Sequence, residues 1–242
     1  MNNEDKNLPL FEHLEELRTA LIRISAYVAI ASVIVWLFYQ DFFSLLANPL
    51  IKGMASTGAK FLVTGIAEGF TLKLQICVIF AVILAFPLII GEVWLFIAPA
   101  LKQNEKKAII LVVPISVFLF ITGVLSAYFT LPIGIEWLIK QNPQEANFMP
   151  SLSETLLFAV KMEFAFGFLF QMPIFIVFLA KIGLVKAYML KKFWREAVIV
   201  ICIIVAIITP TTDAFTMIIM SVPMLSLYLI TIQVVSIMEK RV

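Results

Sequence analysis

The run Ala108–Leu125, AIILVVPISVFLFITGVL, decides the fold class. It carries no charge and its apolar residues do not alternate with polar ones. A membrane β-strand predicts segments of about ten alternating residues, whereas a spanning helix needs about 20 mostly apolar ones. Within lipid a single segment can satisfy all of its own backbone donors and acceptors only as a helix. Working outward, comparable runs predict spans at Ala20–Tyr39, Thr71–Ile90, Ala108–Thr130, Leu156–Ala180, Ala197–Ile208 and Phe215–Ile232.

Composition agrees. Of the 242 residues, 62% are hydrophobic and 14% charged, against roughly 45–50% and 25% in soluble domains. Mean hydropathy is +1.03. The expectation is therefore an all-α integral membrane protein, a single polytopic domain over residues 1–242. A net charge of +2 excludes an electrostatic argument for nucleic acid. Cys77 and Cys202 lie in apolar runs and read as small buried hydrophobes. His13 is the sole histidine, so no multi-histidine metal centre is expected.

Orientation follows from lysine and arginine, which concentrate on the cytoplasmic side. With the N-terminus inside, thirteen of the eighteen fall in inner segments. The other five, Lys52, Lys60, Lys73, Lys140 and Lys161, lie in or beside two long outer loops. Both termini are thus expected in the cytoplasm.

Two spans are unusual. AVIVICIIVAII, residues 197–208, offers only twelve apolar residues before TPTTD turns the chain. Twelve residues rise about 18 Å, against a core of about 30 Å. The sixth span starts directly after, so the fifth and sixth are expected as a short outer-facing hairpin; the alternative is a buried TPTTD and a continuing helix. Pro87, Pro114, Pro173 and Pro223 fall inside spans, with Pro132 near the end of the third. Proline removes a backbone donor and bends a helix, and bent helices favour a concave bundle.

Catalytic signatures are missing. No HExxH, GxSxG or phosphate-cradling glycine loop occurs, so neither enzyme activity nor a cofactor is expected. The polar residues that remain fall in three places. In LPLFEHLEELRTALIRI, Phe11, Leu14, Leu17, Leu21 and Ile24 mark an apolar face, with Glu12, Glu16 and Arg23 on another. Glu15 and Arg18 are spaced to pair. From the residues alone, a solvated amphipathic lead-in, its acids favoured by the helix dipole, is the plainer account of this pattern. In GEVWLFIAPALKQNEKK, Trp94 and Phe96 suit a membrane interface, and Glu105 would share the inner side with Glu16.

The fourth span holds Lys161, Glu163 and Gln171. Lys161 can snorkel to the outer surface. Glu163 lies about 16 Å along its helix, where lipid exposure is implausible, so it reads as facing the bundle interior. Gln171 sits about 80° round from it, so the two could line one broad polar groove. On these grounds alone an ion-coupled secondary transporter with Glu163 as coupling site competes with a receptor built on Glu16 and Glu105.

HLEELR before the first span, NPLIK after it, VWLFIAPALKQNE after the second, AYF and Pro132 in the third, AFGFLFQMP in the fourth and TPTTD before the sixth resemble the TatC family. These blocks occur in order over nearly the whole chain. The resemblance implies the polytopic core subunit of the twin-arginine translocase of a bacterial or archaeal cytoplasmic membrane, a non-enzymatic receptor. Such a subunit binds signal peptides with two consecutive arginines and organises single-span TatA/TatB-type subunits. It also implies self-association and export of folded proteins driven by the proton motive force. Carried over by motif, the signal-peptide residues are Glu16, Glu105, Arg18 and Phe96. Pro49, Tyr128 and Asp213 are functional loop positions, and Gln171 with Glu163 would form an intramembrane partner contact. Gln171 departs from the family, which usually has glutamate before that proline.

Overall fold

The computed structural model describes residues 8–55, 61–63, 65–97, 103–141, 149–209 and 214–240, with the side chains of 8–12, 55 and 103–110 left aside. Among the described residues the regular elements are helices: α1 (Leu8–Leu37), α2 (Tyr39–Ala55), α3 (Glu68–Ile97), α4 (Gln103–Lys140), α5 (Leu152–Leu169), α6 (Met172–Lys181), α7 (Ala187–Lys192), α8 (Trp194–Ile208) and α9 (Ala214–Glu239). Among the described residues, five stretches are long and apolar enough to cross a membrane: His13–Leu37, Glu68–Ile97, Leu111–Lys140, Leu152–Lys181 and Ala214–Glu239.

Several elements differ from the sequence expectation. The stretch after the first span, read as an outer loop, contains α2. Its buried residues Leu46, Ala47, Leu50 and Met54 fall on one helical face. Helix α4 continues through both Pro114 and Pro132 to Lys140. The fourth span is two helices, interrupted at Phe170–Gln171, with Pro173 in the first turn of α6. Proline is tolerated there because first-turn N–H groups have no intrahelical partner.

The expected fifth span falls on α8, a helix of 15 residues with about 22 Å of rise, which is not among those five stretches. The expected sixth span is not short. Helix α9 has 26 residues, because it continues beyond the apolar run through Gln233 and Ser236 to Glu239. There the Glu239 carboxylate accepts the Ala187 backbone N–H at 2.7 Å, giving α7 a partner for one of its orphan donors. The Tyr228 hydroxyl donates to Leu190 O at 2.9 Å, so α9 holds this inter-helix segment at two points.

The chain divides into two compact units. The first comprises Met1–Tyr39 and Cys77–Phe118, and the second Gln40–Ile76 and Leu119–Val242. Within the first, Ala31, Ala81 and Ala85 form a buried cluster, with Tyr27, Val28 and Ile89 packed on it. Small residues at a helix contact let two backbones approach without the hydrophobic drive that water supplies to soluble proteins.

The second unit uses the same device with glycine. A Cβ on Gly123 would lie 2.6 Å from Phe166 O and 2.8 Å from the Phe170 ring, and one on Gly167 would lie 2.6 Å from the Phe120 ring. Helices α4 and α5 therefore meet at a separation only glycine permits. At one end of this unit the Glu68 carboxylate accepts from Gly65 N–H (3.0 Å), the Ser151 hydroxyl (3.3 Å) and Ser153 N–H (3.3 Å). Leu62 N–H donates to Pro150 O and Leu152 N–H to Leu62 O beside it. One carboxylate thereby ties the start of α3 to the start of α5.

Candidate functional site

The first unit carries the site. Helix α1 runs unbroken from Leu8 to Leu37, so the polar lead-in and the apolar span form one rod. Turning about 100° per residue, Glu15, Glu16, Thr19, Ala20 and Arg23 fall on one stripe. With Glu92, Leu95 and Phe96 from the end of α3 they line a cleft of about 550 Å³. The opposite stripe, Leu14, Leu17, Arg18, Leu21, Ile22 and Ser25, lines a shallow apolar groove. Helical period alone thus separates the acids from Arg18.

The cleft has two poles. At the outer pole, exposed Glu16 meets His13 Nδ1 at 3.3 Å, and the His13 ring stacks on Phe96 with centroids 4.3 Å apart and planes 13° from parallel. The histidine thus bridges the acid of α1 to the aromatic of α3. At the inner pole Glu92 is buried, with 9% exposure. Its Oε1 accepts from the Tyr27 hydroxyl at 3.0 Å, and its Oε2 lies 3.5 Å from Arg23 Nη1. Tyr27 and Arg23 are four residues apart, hence neighbours on one helical face.

Two expectations need correction. Glu15 and Arg18 form no ion pair among the described residues; the carboxylate contacts of α1 are instead the His13–Glu16 hydrogen bond and the Arg23–Glu92 ion pair. Trp94 is not an interfacial anchor but buried at 2% exposure, while Phe96 is half-buried in the cleft. The register of α3 turns Trp94 inward, and a two-residue step on a helix moves a side chain by about 200°.

Of the other sequence-derived positions, Glu105 lies in the first turn of α4, with its side chain outside the described residues. Glu12 is likewise helical with its side chain not described, and Asp213 lies outside the described residues altogether. Pro49 and Tyr128 belong to the second unit, Pro49 inside α2 and Tyr128 edge-on to Phe129 in α4. Glu163 and Gln171 are there too, at 4% and 2% exposure, and the Gln171 amide donates to Gly167 O in its own chain segment at 3.4 Å. No cluster of metal-ligating side chains occurs among the described residues.

Sequence reasoning missed Glu92, Tyr27 and the bridging role of His13. A signal for Glu92 was available: it is the sole acid of α3 beyond Glu68, and an ionisable group in an apolar span marks a site by default. Its partners, brought in from 65 and 69 residues away, left no local trace.

Chemically, the cleft suits a cation with planar donors. Carboxylates accept two parallel N–H bonds from a guanidinium, and lysine's ammonium matches that geometry poorly. An aromatic wall adds a surface on which a guanidinium stacks.

Comparison with known proteins identifies the family. The family model described as "Sec-independent protein translocase protein (TatC)" matches residues 12–223. The TatC of Desulforapulum autotrophicum is 37% identical over 96% of this chain and 86% of its own length. That of Carboxydothermus hydrogenoformans is 33% identical over 95% and 93%. A crystal structure described as the twin arginine translocase receptor TatC superposes with a TM-score of 0.82 at 32% identity, covering 92% of this chain and 99% of the other. With most of its length matched by the family model, the chain belongs to the TatC family of Sec-independent protein translocase proteins.

Proposed function

We propose that the cleft in the first unit is the recognition site for twin-arginine signal peptides, with Glu16 as an arginine acceptor and Phe96 as its stacking wall. The observation that carries this reading is the convergence of Glu15, Glu16 and Glu92 with Phe96 in one cleft. Acids for the arginines and an apolar track for the hydrophobic part of a signal peptide stand on opposite faces of α1, so a bound peptide would pass around the helix to engage both. Glu105, in the first turn of α4, would add a further acid, and Arg18 would border the apolar track.

The finer topology belongs to the same proposal. Helix α8 joins the five long stretches as a sixth, short span; both termini and the cleft face the cytoplasm, in a bacterial or archaeal cytoplasmic membrane. Single-span TatA/TatB-type subunits and further copies of this chain complete the complex, and the proton motive force drives passage of the folded precursor. Pro49, Tyr128 and Asp213 act on the outer side, and the polar pair Glu163 and Gln171 serves partner assembly. The family's work is translocation and not catalysis, so these side chains bind, orient and discriminate.

Purified protein titrated with a labelled twin-arginine peptide tests the reading. Binding is expected to be about fivefold tighter than for the twin-lysine version, since two geometrically matched pairs at the middle of the ~0–1 kcal/mol range add to about 1 kcal/mol. Equal affinity for the two peptides would remove the basis of the proposal. A photo-crosslinker at Glu105 is expected to capture the bound peptide; its failure while the peptide binds would take Glu105 out of the site.

A further inference from the structure

Resting on the reading of the cleft as an arginine-recognition site, a second feature bears on how discrimination arises. The two acids of the cleft differ in solvation: the Glu16 side chain is 57% exposed and that of Glu92 only 11%. Exposed ion pairs contribute little, because water screens the charges and ordering two side chains costs entropy. A hydrogen bond to a shielded charge contributes several times more, and a shielded carboxylate left without its partner is costly. Selectivity for a guanidinium therefore belongs with Glu92, deeper in the cleft, more than with Glu16 at its mouth.

Glu92 already holds a guanidinium. Its Oε1 is fixed by the Tyr27 hydroxyl at 3.0 Å, which orients the carboxylate and leaves Oε2 for a second donor. Arg23 supplies that donor through one nitrogen, at 3.5 Å. Charge-assisted bonds of this type close to about 2.7–2.9 Å when well made and are often bidentate, so the contact is long and single. The Arg23 side chain is 57% exposed and lies along the cleft wall with Glu15 and Glu16. It is thus free to swing toward water or toward the outer acids without leaving a buried charge behind.

We propose that Glu92 is an acceptor for one arginine of the signal peptide, and that Arg23 is its resident placeholder, displaced when the ligand's guanidinium arrives. Arg23 keeps the shielded carboxylate compensated while the cleft is empty and competes with the ligand for it. Exchange of one guanidinium for another conserves the charge of the inner pole, so no net desolvation of a lone carboxylate accompanies binding. A lysine in the ligand would replace a planar donor by a strongly hydrated ammonium, and Arg23 would keep its place.

The two sides of the contact predict opposite effects, and this makes the test decisive. Full-length protein in detergent is titrated with labelled twin-arginine and twin-lysine peptides, alongside Glu92→Gln, Arg23→Gln and Arg23→Lys. Thermal unfolding of each variant checks that it is folded. Arg23→Gln removes the competitor and is expected to tighten twin-arginine binding by about threefold to fivefold, with Arg23→Lys in between. Glu92→Gln is expected to weaken twin-arginine binding by about tenfold or more while leaving the twin-lysine peptide nearly unchanged. If Arg23→Gln is folded and binds the twin-arginine peptide equally or more weakly, Arg23 is no placeholder and the inference is overturned, even where wild type still discriminates. If wild type itself does not separate the two peptides, the cleft's assignment falls and this inference with it. Because Arg23 is exposed, its variant reports even if Glu92→Gln does not fold.

Discussion

The two units solve the same packing problem with different chemistry. In the first, alanines bring α1 and α3 together at Ala31, Ala81 and Ala85, and the charged groups gather at a solvent-facing end as His13–Glu16 and Arg23–Glu92. In the second, Gly123 and Gly167 let α4 and α5 approach so closely that a methyl group would overlap a carbonyl or a ring, and the acid Glu163 is enclosed. Loosely held side chains at an exposed end can exchange partners. A close-packed interior transmits strain and cannot. On the proposed function, this difference puts recognition in the first unit and rigidity in the second.

The sharpest way to break that comparison is at the glycines. Gly167→Leu is expected to abolish accumulation of folded protein, and Gly167→Ala to lower stability by about 1–3 kcal/mol through overpacking, read as a fall in the unfolding temperature in detergent. An unchanged unfolding temperature would mean the Phe120 ring simply moves aside. Gly91 in the first unit has open space around a new Cβ. There Gly91→Ala is expected to be neutral or to stabilise by up to about 1 kcal/mol, the helix-propensity difference. Destabilisation at Gly91 as large as at Gly167 would erase the contrast between the units.

Function should separate along the same line, with smaller effects. Glu16→Ala is expected to reduce twin-arginine peptide binding by about fivefold, the upper end for an exposed pair, and to reduce precursor export accordingly. Glu163→Gln should leave peptide binding unaltered and retain most export. The reverse order of severity would revive the ion-coupled transporter reading. Smallest is His13→Ala, expected to weaken binding by about twofold, because it removes the bridge between Glu16 and Phe96 but neither of the groups it joins. A loss exceeding that of Glu16→Ala would instead make the imidazole a direct contact.

Much of this was legible residue by residue. The acid of HLEELR and the aromatic of VWLF were singled out from the sequence and meet in one cleft; Arg18 was grouped with them and instead lines the groove on the opposite face of α1. Trp94 was misread because an aromatic near a span end suits the interface as well as the core, and only the helical register separates the two. The sixth span was cut short at Ile232 because hydropathy counts apolar residues, whereas α9 is prolonged by a polar one, Glu239, that finds a backbone partner in α7. The break at Phe170–Gln171 was hidden because Met172–Lys181 is apolar enough to pass as one span with α5.

Sequence by itself determined the solvent this chain lives in and its helical class, because lipid leaves the backbone only helices or closed barrels, and long apolar runs that do not alternate announce helices. It also determined the acids at the head of α1, since a charge beside an apolar run is conspicuous. Only the tertiary structure decided which acid is shielded and what it holds. Glu92 gains Tyr27 and Arg23 from 65 and 69 residues away, through a helix contact that alanines make close. Burial and partnership are properties of two surfaces meeting, and neither is written in the residue that ends up buried.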